Sequence, residues 1–170
     1  MDYATFQVYD TRHQIKDLEH SYNYQRAVSF EGTEIFVYYA KDKNHVYFNG
    51  LPIQGANPDT YEVLERGIFA KDDSQIFFRS WYEPYAPNIP LQGVDVETFE
   101  VLSWEYAKDK QNVYEVFDCG GGSGREACIE RVKNADPTTF VVPPSALFQQ
   151  QDVVAYDKNA LYTRGGFRVV

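Results

Sequence analysis

Two short phrases alternate along the whole chain, and their repetition constrains the fold more than any other feature of the sequence. The first reads YYAKDKNHVYF from Tyr38, IFAKDDSQIFF from Ile68, EYAKDKQNVYE from Glu105 and VVAYDKNALYT from Val153. The second reads YATFQV from Tyr3, PDTYEV from Pro58, VETFEV from Val96 and PTTFVV from Pro137. A repeat unit of about 40 residues needs its neighbours to bury its apolar face. The pattern therefore predicts a repeat architecture, and by itself it indicates no reaction.

The first unit contains enough turn and strand signals to predict how each unit folds. Asp42-Lys43-Asn44 favours a tight turn, because Asp bonds to its own backbone and Asn tolerates positive φ. Residues 45–48 are strand-forming types, and the Asn49-Gly50 pair after them favours a type I′ hairpin turn. Pro52 places the return strand at a sheet edge, since proline cannot donate to a central ladder. These features predict short antiparallel hairpins in series.

The fold class that follows is all-β, with tandem antiparallel β-hairpin repeats and little helix; only residues 12–26 have a spacing that could suit a helix. We expect about four units to stack into one continuous sheet or a solenoid-like array. They would form a single domain over residues 1–170, with units at roughly 1–48, 49–78, 79–115 and 116–170.

An aliphatic residue recurs at the same place in every unit and is always followed by an aromatic one. Adjacent strand residues point to opposite faces, so both faces of this strand are predicted to be covered. The aliphatic residues are Val46, Ile76, Val113 and Leu161.

The turn and the strand after it resemble the repeat of the DKNYY family of bacterial proteins. The matching stretches are residues 42–47, 109–114 and 157–162, whereas the second unit departs with Asp72-Asp73-Ser74-Gln75. The resemblance covers most of the chain outside residues 11–32. It implies no catalytic residues, and it implies export, since members of the family often look exported.

The chain is acidic, with a formal net charge of −9 and a sequence pI near 4.8. It would repel phosphate backbones, and no basic stripe interrupts the acidity, so nucleic-acid binding is not expected. The acidity suits solubility, or a basic protein partner whose association it would speed. The sequence contains no apolar run long enough to be a transmembrane segment. The first residues do not resemble a signal peptide and already contain the second phrase, so we expect Met1 to stand in place of removed sequence.

Two neighbouring units enlarge the same hairpin tip, and insertions of this kind usually mark the binding face of a repeat protein. The stretch LPIQGAN from Leu51 aligns with IPLQGVD from Ile89, so the Asn49-Gly50 tip of the first unit becomes residues 80–88 in the second. This loop is stiff and aromatic, which favours binding, although its tryptophan could instead fold onto its own sheet. Its candidate binding residues are Trp81, Tyr82, Glu83 and Tyr85.

In the third unit the same tip becomes residues 117–128, which contain both cysteines of the chain. Cys119 and Cys128 flank a glycine-rich stretch and would be brought together by the flanking strands, which predicts a disulfide. A disulfide indicates an oxidising, extracytoplasmic compartment such as the periplasm or the cell surface. Asp118, Arg125 and Glu126 are candidate polar contacts around this loop.

Other chemistry has weaker support in the sequence. His13 and His20 would share a helical face, where a metal site is conceivable but a solvated polar helix accounts for them better. The Asp-x-Asn starts at Asp42 and Asp157 lack the remaining ligands of a calcium loop, and residues 120–125 lack the end of a phosphate-binding loop. We therefore expect no metal, no cofactor and no catalytic residue.

The function expected is that of a non-catalytic, extracytoplasmic module that binds another protein through its enlarged hairpin tips. An inhibitor or immunity protein for a bacterial toxin is one role of this kind. The alternatives are a hydrolase or carbohydrate-active enzyme with carboxylates between repeats, and a purely structural segment of a longer repeat protein.

Overall fold

The computed structural model describes residues 4–5, 7–9, 39–64, 68–79, 88–120, 127–143, 153–163 and 168–169. Every regular element in these residues is a β-strand, which confirms the all-β class. The chain divides into two compact units, residues 1–91 and 92–170. Among the described residues, no helix is long and apolar enough to cross a membrane.

The strands form four antiparallel sheets, one for each copy of the two phrases. The first two sheets contain β1 (Gln7–Tyr9), β2 (Tyr39–Lys41), β3 (Val46–Phe48) and β4 (Leu51–Pro52), then β5 (Glu62–Val63), β6 (Phe69–Lys71), β7 (Ile76–Phe78) and β8 (Ile89–Pro90). The last two contain β9 (Glu100–Val101), β10 (Tyr106–Lys108), β11 (Val113–Asp118) and β12 (Ala127–Arg131), then β13 (Val153–Tyr156), β14 (Leu161–Thr163) and β15 (Arg168–Val169). The sheets are separate in the described residues, so the single continuous sheet that the repeats suggested is not formed there. Each strand bonds to its neighbours within one repeat, and inside each compact unit the two repeats pack through side chains.

We number the repeats one to four by these sheets. All four keep the same register between the second phrase and the eleven-residue phrase after it. The equivalent pairs are Gln7 with Lys41, Glu62 with Lys71, Glu100 with Lys108 and, as an isolated bridge, Val141 with Tyr156. The two phrases of the sequence are therefore neighbouring strands of one folding unit.

A buried aspartate builds the turn inside each eleven-residue phrase. In Asp109, for example, Oδ1 accepts hydrogen bonds from the backbone N–H groups of Gln111 and Asn112, each at 2.7 Å. Equivalent bonds form at the other three turns, which confirms the predicted turn. The four aspartates are Asp42, Asp72, Asp109 and Asp157, all between 2% and 7% exposed.

A threonine of the second phrase forms a hydrogen bond with this turn. Its Oγ1 accepts a hydrogen bond from the backbone N–H of the residue that follows the aspartate. The four bonds run from Lys43 to Thr5, from Asp73 to Thr60, from Lys110 to Thr98 and from Lys158 to Thr139, at 2.9 to 3.2 Å. The alternation of phrases in the sequence thus has a direct structural basis.

Each compact unit has a core shared by two consecutive repeats. In residues 1–91, Val46 of repeat one belongs to a cluster with Tyr61 and Ala70 of repeat two. In residues 92–170, Val113 of repeat three belongs to the equivalent cluster with Phe140 and Ala155 of repeat four. Inside each compact unit, the second repeat therefore covers the recurring aliphatic residue of the first.

The prediction that this strand is covered on both faces is confirmed for three repeats and wrong for the fourth. Val46, Ile76 and Val113 are at most 1% exposed, but Leu161 is 42% exposed. Val46 and Val113 lie in clusters that include residues of the next repeat, whereas Leu161 belongs to neither cluster.

Candidate binding site at the hairpin tips

The hairpin tips differ in length while the strands that carry them stay in register. In repeat one, Asn49 and Gly50 have φ values of 48° and 80°, which confirms the predicted type I′ turn. Phe48 pairs with Leu51 in repeat one, and Phe78 pairs with Ile89 in repeat two. The alignment that exposed the insertion in repeat two is therefore correct, and the insertion lies wholly between two paired residues.

At the far end of the repeat-two tip, Asn88 is held inside the protein. It is 4% exposed, and its Nδ2 donates hydrogen bonds to the hydroxyl oxygens of Tyr61 at 2.8 Å and Tyr39 at 3.3 Å. Its Oδ1 accepts no hydrogen bond within the described part of the chain. Asn88 therefore acts as a donor that fixes the returning end of the loop to two tyrosines of the core.

At the near end of the same tip, Arg79 is also buried. Its backbone N–H donates to the carbonyl of Ile68 at 2.9 Å, and it is 4% exposed. The guanidinium carbon lies 5.1 Å from the centre of the Phe48 ring, within the range of a cation–π contact. Both ends of the enlarged tip are therefore fixed by buried polar side chains.

Tyr61, which accepts the shorter hydrogen bond from Asn88, stays neutral. Burial raises the pKa of Tyr61 far above its ordinary value, and the neighbouring Tyr39 adds to the rise. A neutral phenol keeps a proton to donate and an oxygen that accepts the Asn88 amide. The hydrogen bond between Asn88 and Tyr61 is therefore insensitive to pH in the physiological range.

The tip of repeat three is fixed by a different device. Its hairpin extends the ladder by three pairs, in which Val116, Phe117 and Asp118 face Ile129, Cys128 and Ala127. Cys119 and Cys128 form the predicted disulfide, with their Cα atoms 5.8 Å apart and nine positions apart in sequence. The described part of the chain holds no free cysteine.

Most of the predicted contact residues lie beyond what the structure describes. Asp118 is described: it is exposed at the end of β11, and its Oδ1 accepts a hydrogen bond from the backbone N–H of Gly120 at 3.0 Å. The others lie outside the described residues, namely Trp81, Tyr82, Glu83, Tyr85, Arg125 and Glu126. The structure thus locates the bases of both tips and leaves their contact residues as a prediction.

Two aliphatic side chains beside the tips are exposed and were not predicted. Leu51 is 49% exposed at the end of the repeat-one tip, and Ile89 is 56% exposed at the end of the repeat-two tip. The register of the sheets makes them equivalent, and Glu130 occupies the same position in repeat three. Their apolar surface could have been noticed from that alignment, since both follow directly on the tip.

The turn aspartates are the residues that might have suggested a metal or catalytic site, but their carboxylate oxygens already accept hydrogen bonds within the fold. Oδ1 of Asp42 accepts from the backbone N–H groups of Asn44 and His45, and Oδ2 accepts from the hydroxyl of Tyr47, each at 2.8 Å. Within the described ranges, no group of three or more His, Cys, Asp or Glu side chains could hold a metal ion. His13 and His20 lie outside the described residues.

Equivalent contacts hold the Asp109 carboxylate in its charged form. Burial works to raise the pKa of Asp109, but three backbone N–H groups and the Tyr114 hydroxyl outweigh it and lower the pKa below its ordinary value. The same hydrogen bond acts on Tyr114 in the opposite direction, because burial and the bond to Asp109 raise the pKa of Tyr114 to about 12. Such a carboxylate stabilises a turn and is poorly placed to exchange protons with a substrate.

The model of the DKNYY family matches residues 1–165. The chain belongs to the DKNYY family. Neither the curated proteins nor the solved structures gave a match. For this DKNYY chain, the name of the family describes the aspartate turn and the aromatic strand after it, which the structure shows to be parts of the scaffold.

Proposed function

We propose that this DKNYY chain is a non-catalytic protein-binding module of an extracytoplasmic compartment, and that its enlarged hairpin tips hold the partner. The observation that supports this most is the fixing of both tips at their bases. A loop whose ends are held loses less conformational entropy on binding than a loop with free ends. Residues that served only to connect two strands would not require such fixing.

The composition of the tips suits protein recognition. Tryptophan and tyrosine are favoured as anchors in protein interfaces, so we assign Trp81, Tyr82 and Tyr85 to this role. The polar rim around the repeat-three tip would comprise Asp118, Arg125 and Glu126, and Glu83 would contribute the same to the repeat-two tip. Leu51 and Ile89 add exposed apolar area beside the tips.

The disulfide and the charge support the proposed compartment and the proposed kind of partner. Disulfides persist in oxidising compartments, which supports a place outside the cytoplasm. A net charge of −9 favours a basic partner and fast association with it. An inhibitor or immunity protein that neutralises a toxin fits these features, and a solenoid-like stacking of the four sheets remains part of the proposal.

The test is affinity capture from extracts of source cells and of competitor cells. The bait is the intact chain, beside a variant in which residues 80–88 and 118–127 are each replaced by Asn-Gly. The short tip of repeat one is the precedent for this replacement. We expect a partner that is held by the intact chain and lost by the trimmed variant. A partner held equally by both, with both folded, would remove the tips from the binding site.

A point variant locates the site within the tips. Trp81→Ala should weaken binding of the captured partner by more than about 1 kcal/mol if Trp81 is an anchor. Gln111→Ala is the matched control, because this exposed residue lies in the aspartate turn, at the opposite end of β11 from a tip. Equal affinity of both variants for the partner would contradict the assignment of Trp81.

A further inference from the structure

We propose that the outer edge of β12 binds an extended segment of the partner that carries lysine or arginine, and that this segment adds a strand to the sheet of repeat three. β12 lies at one edge of that sheet, beside β11. It is also the strand that returns from the repeat-three tip, so this contact rests on the proposed function and extends it. We call the outward backbone groups of Ile129 and Arg131 the open edge.

The ladder between β11 and β12 determines which backbone groups of β12 point outward. In an antiparallel pair, only every second residue of a strand bonds to its neighbour. The backbone N–H of Val132 donates to the carbonyl of Val113 at 2.8 Å, so the register places Glu130 among the residues that bond to β11. The N–H and C=O groups of Ile129 and Arg131 therefore point away from β11. In the part of the chain that the structure describes, these groups have no hydrogen-bond partner.

Repeats one and two protect the same edge with proline. Pro52 in β4 and Pro90 in β8 stand where Arg131 stands in β12, each opposite the aromatic residue of the central strand. The backbone N–H of Ile53 donates to the carbonyl of Val46, so the position before Ile53 faces outward. Proline there has no N–H to offer and protects a sheet edge. Repeat three lacks this protection, and its edge strand has five residues where β4 and β8 have two.

An edge strand with unpaired backbone groups is a template for another extended chain. Ile129 and Arg131 each offer one donor and one acceptor, so an antiparallel segment can form four backbone hydrogen bonds with the open edge. The disulfide joins Cys128 of β12 to Cys119 across the tip. Because β12 is held in extended form before binding, the association costs less conformational entropy.

The side chains beside the open edge indicate the charge of the segment. Glu130 is exposed and lies directly opposite Glu115 on β11. Like charges directly opposite each other on antiparallel strands destabilise the pair. Arg131 does not relieve this repulsion, because it points to the other face, where its Nη2 donates to the carbonyl of Gly93 at 3.0 Å. A lysine or arginine of the added strand, opposite Glu130 on the same face, supplies the missing positive charge.

A second copy of the chain suits this edge less well than a basic segment does. If two open edges paired antiparallel through Ile129 and Arg131, Glu130 of one copy would face Glu130 of the second copy. Two chains with a net charge of −9 each also repel one another. The charges therefore favour a segment of a different, basic protein, which agrees with the partner proposed above.

The experiment is isothermal titration calorimetry of the intact chain with a synthetic peptide of about eight residues that alternates lysine with valine. The test variant is Arg131→Pro, which copies Pro52 and Pro90. It removes an outward N–H and leaves the hydrogen bonds between β11 and β12 in place. It should raise the dissociation constant of the peptide by about tenfold or more. Glu130→Lys should weaken binding as well, and it is the second variant if Arg131→Pro does not fold.

The matched control is Arg131→Ala. It loses the same side chain as Arg131→Pro, together with the bond to Gly93, but it keeps the outward N–H. Because the substitution also removes a positive charge near the site, this variant should bind the peptide at least as tightly as the unaltered chain. Equal binding by Arg131→Pro and Arg131→Ala would overturn the proposal.

A pair of modified peptides separates strand addition from simple attraction between opposite charges. One carries N-methyl groups on its valines and the other carries them on its lysines, so the two have the same charge. Only one of these two sets of N–H groups faces β12 in an added strand. One modified peptide should therefore bind as the parent peptide does, and the other should not. Equal binding of the two would show that charge alone attracts them and would overturn the proposal.

Two further outcomes would also overturn it. The first is a lysine–valine peptide that does not bind the intact chain even at millimolar concentration. The second is dimerisation of the chain alone that Arg131→Pro abolishes, since this would assign the open edge to a second copy. The titration uses a peptide and leaves residues 80–88 and 118–127 unaltered, so its failure is distinguishable from a failure of the tips to hold a partner.

Discussion

In residues 1–91, the hydroxyl groups of Tyr39 and Tyr61 both receive the amide of Asn88, which belongs to the enlarged tip. In residues 92–170, the equivalent positions are Tyr106 and Phe140, and Tyr106 donates instead to the Glu115 carboxylate at 3.1 Å. The aromatic packing is nearly the same in the two units. Ring centroids lie 5.5 Å apart for Tyr61 with Phe77, and 5.2 Å apart for Phe140 with Tyr162.

The two units share the features that form the fold and differ in how the enlarged tip is held. Both units use the aspartate turn, the threonine bond and the aromatic core. They differ in how the enlarged tip is fixed, by Arg79 and Asn88 in one unit and by a disulfide in the other. Two different solutions to the same requirement indicate that a fixed tip matters more than the residues that fix it.

The largest effect should come from the shared scaffold. Asp109→Ala removes the acceptor of four hydrogen bonds, from Asp95, Gln111, Asn112 and Tyr114. Each buried donor left without a partner destabilises the fold, so the free energy of unfolding should fall by about 3 kcal/mol or more. Urea denaturation measures it, with Asp118→Ala as the control at an exposed aspartate. A loss below about 1 kcal/mol would show that the turn does not depend on the carboxylate.

The disulfide should have the next largest effect. Replacing Cys119 and Cys128 by serine reopens a loop of about ten residues, which the chain-entropy model values at about 2.7 kcal/mol. Reduction of the unaltered chain should lower the free energy of unfolding by a similar amount. If the double variant is as stable as the oxidised chain, the longer ladder of β11 and β12 alone fixes this tip.

The corresponding contact in the first unit should contribute somewhat less. Asn88→Ala leaves the buried hydroxyl groups of Tyr39 and Tyr61 without the amide, and we expect a loss of about 2 kcal/mol in the free energy of unfolding. Glu115→Ala, which removes the single bond from Tyr106, is the comparison in the second unit. A smaller loss for Asn88→Ala than for Glu115→Ala would contradict the role given to Asn88.

Exchanging tyrosine and phenylalanine between repeats two and three should change the free energy of unfolding by smaller amounts of opposite sign. Tyr114 donates to Oδ2 of Asp109 at 2.7 Å, whereas repeat two has Phe77 at the equivalent position beside Asp72. Tyr114→Phe should lower the free energy of unfolding by about 1.5 kcal/mol, the value of a hydrogen bond to a charged group. Phe77→Tyr should raise it by up to about 1 kcal/mol. Two changes of the same sign would show that the repeats are not interchangeable at this position.

The smallest effect near neutrality is that of pH. Burial works to raise the pKa of Asp72, Asp109 and Asp157, but their hydrogen bonds lower it below the unfolded value of about 3.9. Depressed folded values contribute stability that is fully present above the unfolded pKa and is lost as the pH falls through the folded pKa. Thermal unfolding should therefore be constant in this respect above about pH 5 and decline in acid. A thermal stability that does not fall at low pH would contradict the lowered pKa values of these aspartates.

Local patterns in the sequence predicted much of the fold. The Asp42 turn, the Asn49-Gly50 hairpin, the insertion before Ile89 and the pairing of Cys119 with Cys128 were all predicted correctly. Each depends on residues close together in the chain or on comparison between repeats. Such signals report backbone conformation directly.

The features that were missed depend on distant residues. Asn88 meets Tyr39 across 49 positions of sequence, so its burial has no local signal. Leu161 is exposed although its own pattern is that of the buried Val46 and Val113, because burial at this position depends on residues of another repeat. The sequence shows that the position of Tyr114 is tyrosine or phenylalanine among the repeats. It does not show that the hydroxyl of Tyr114 donates a hydrogen bond to Asp109.

Hydrogen–deuterium exchange of the chain, with and without the captured partner, tests whether the enlarged tips bind that partner. If they do, exchange should slow on binding in residues 80–90 and 117–128. Exchange should not change at the four aspartate turns, which lie at the other ends of their strands. Protection confined to the aspartate turns, with none at either tip, would contradict binding through the tips.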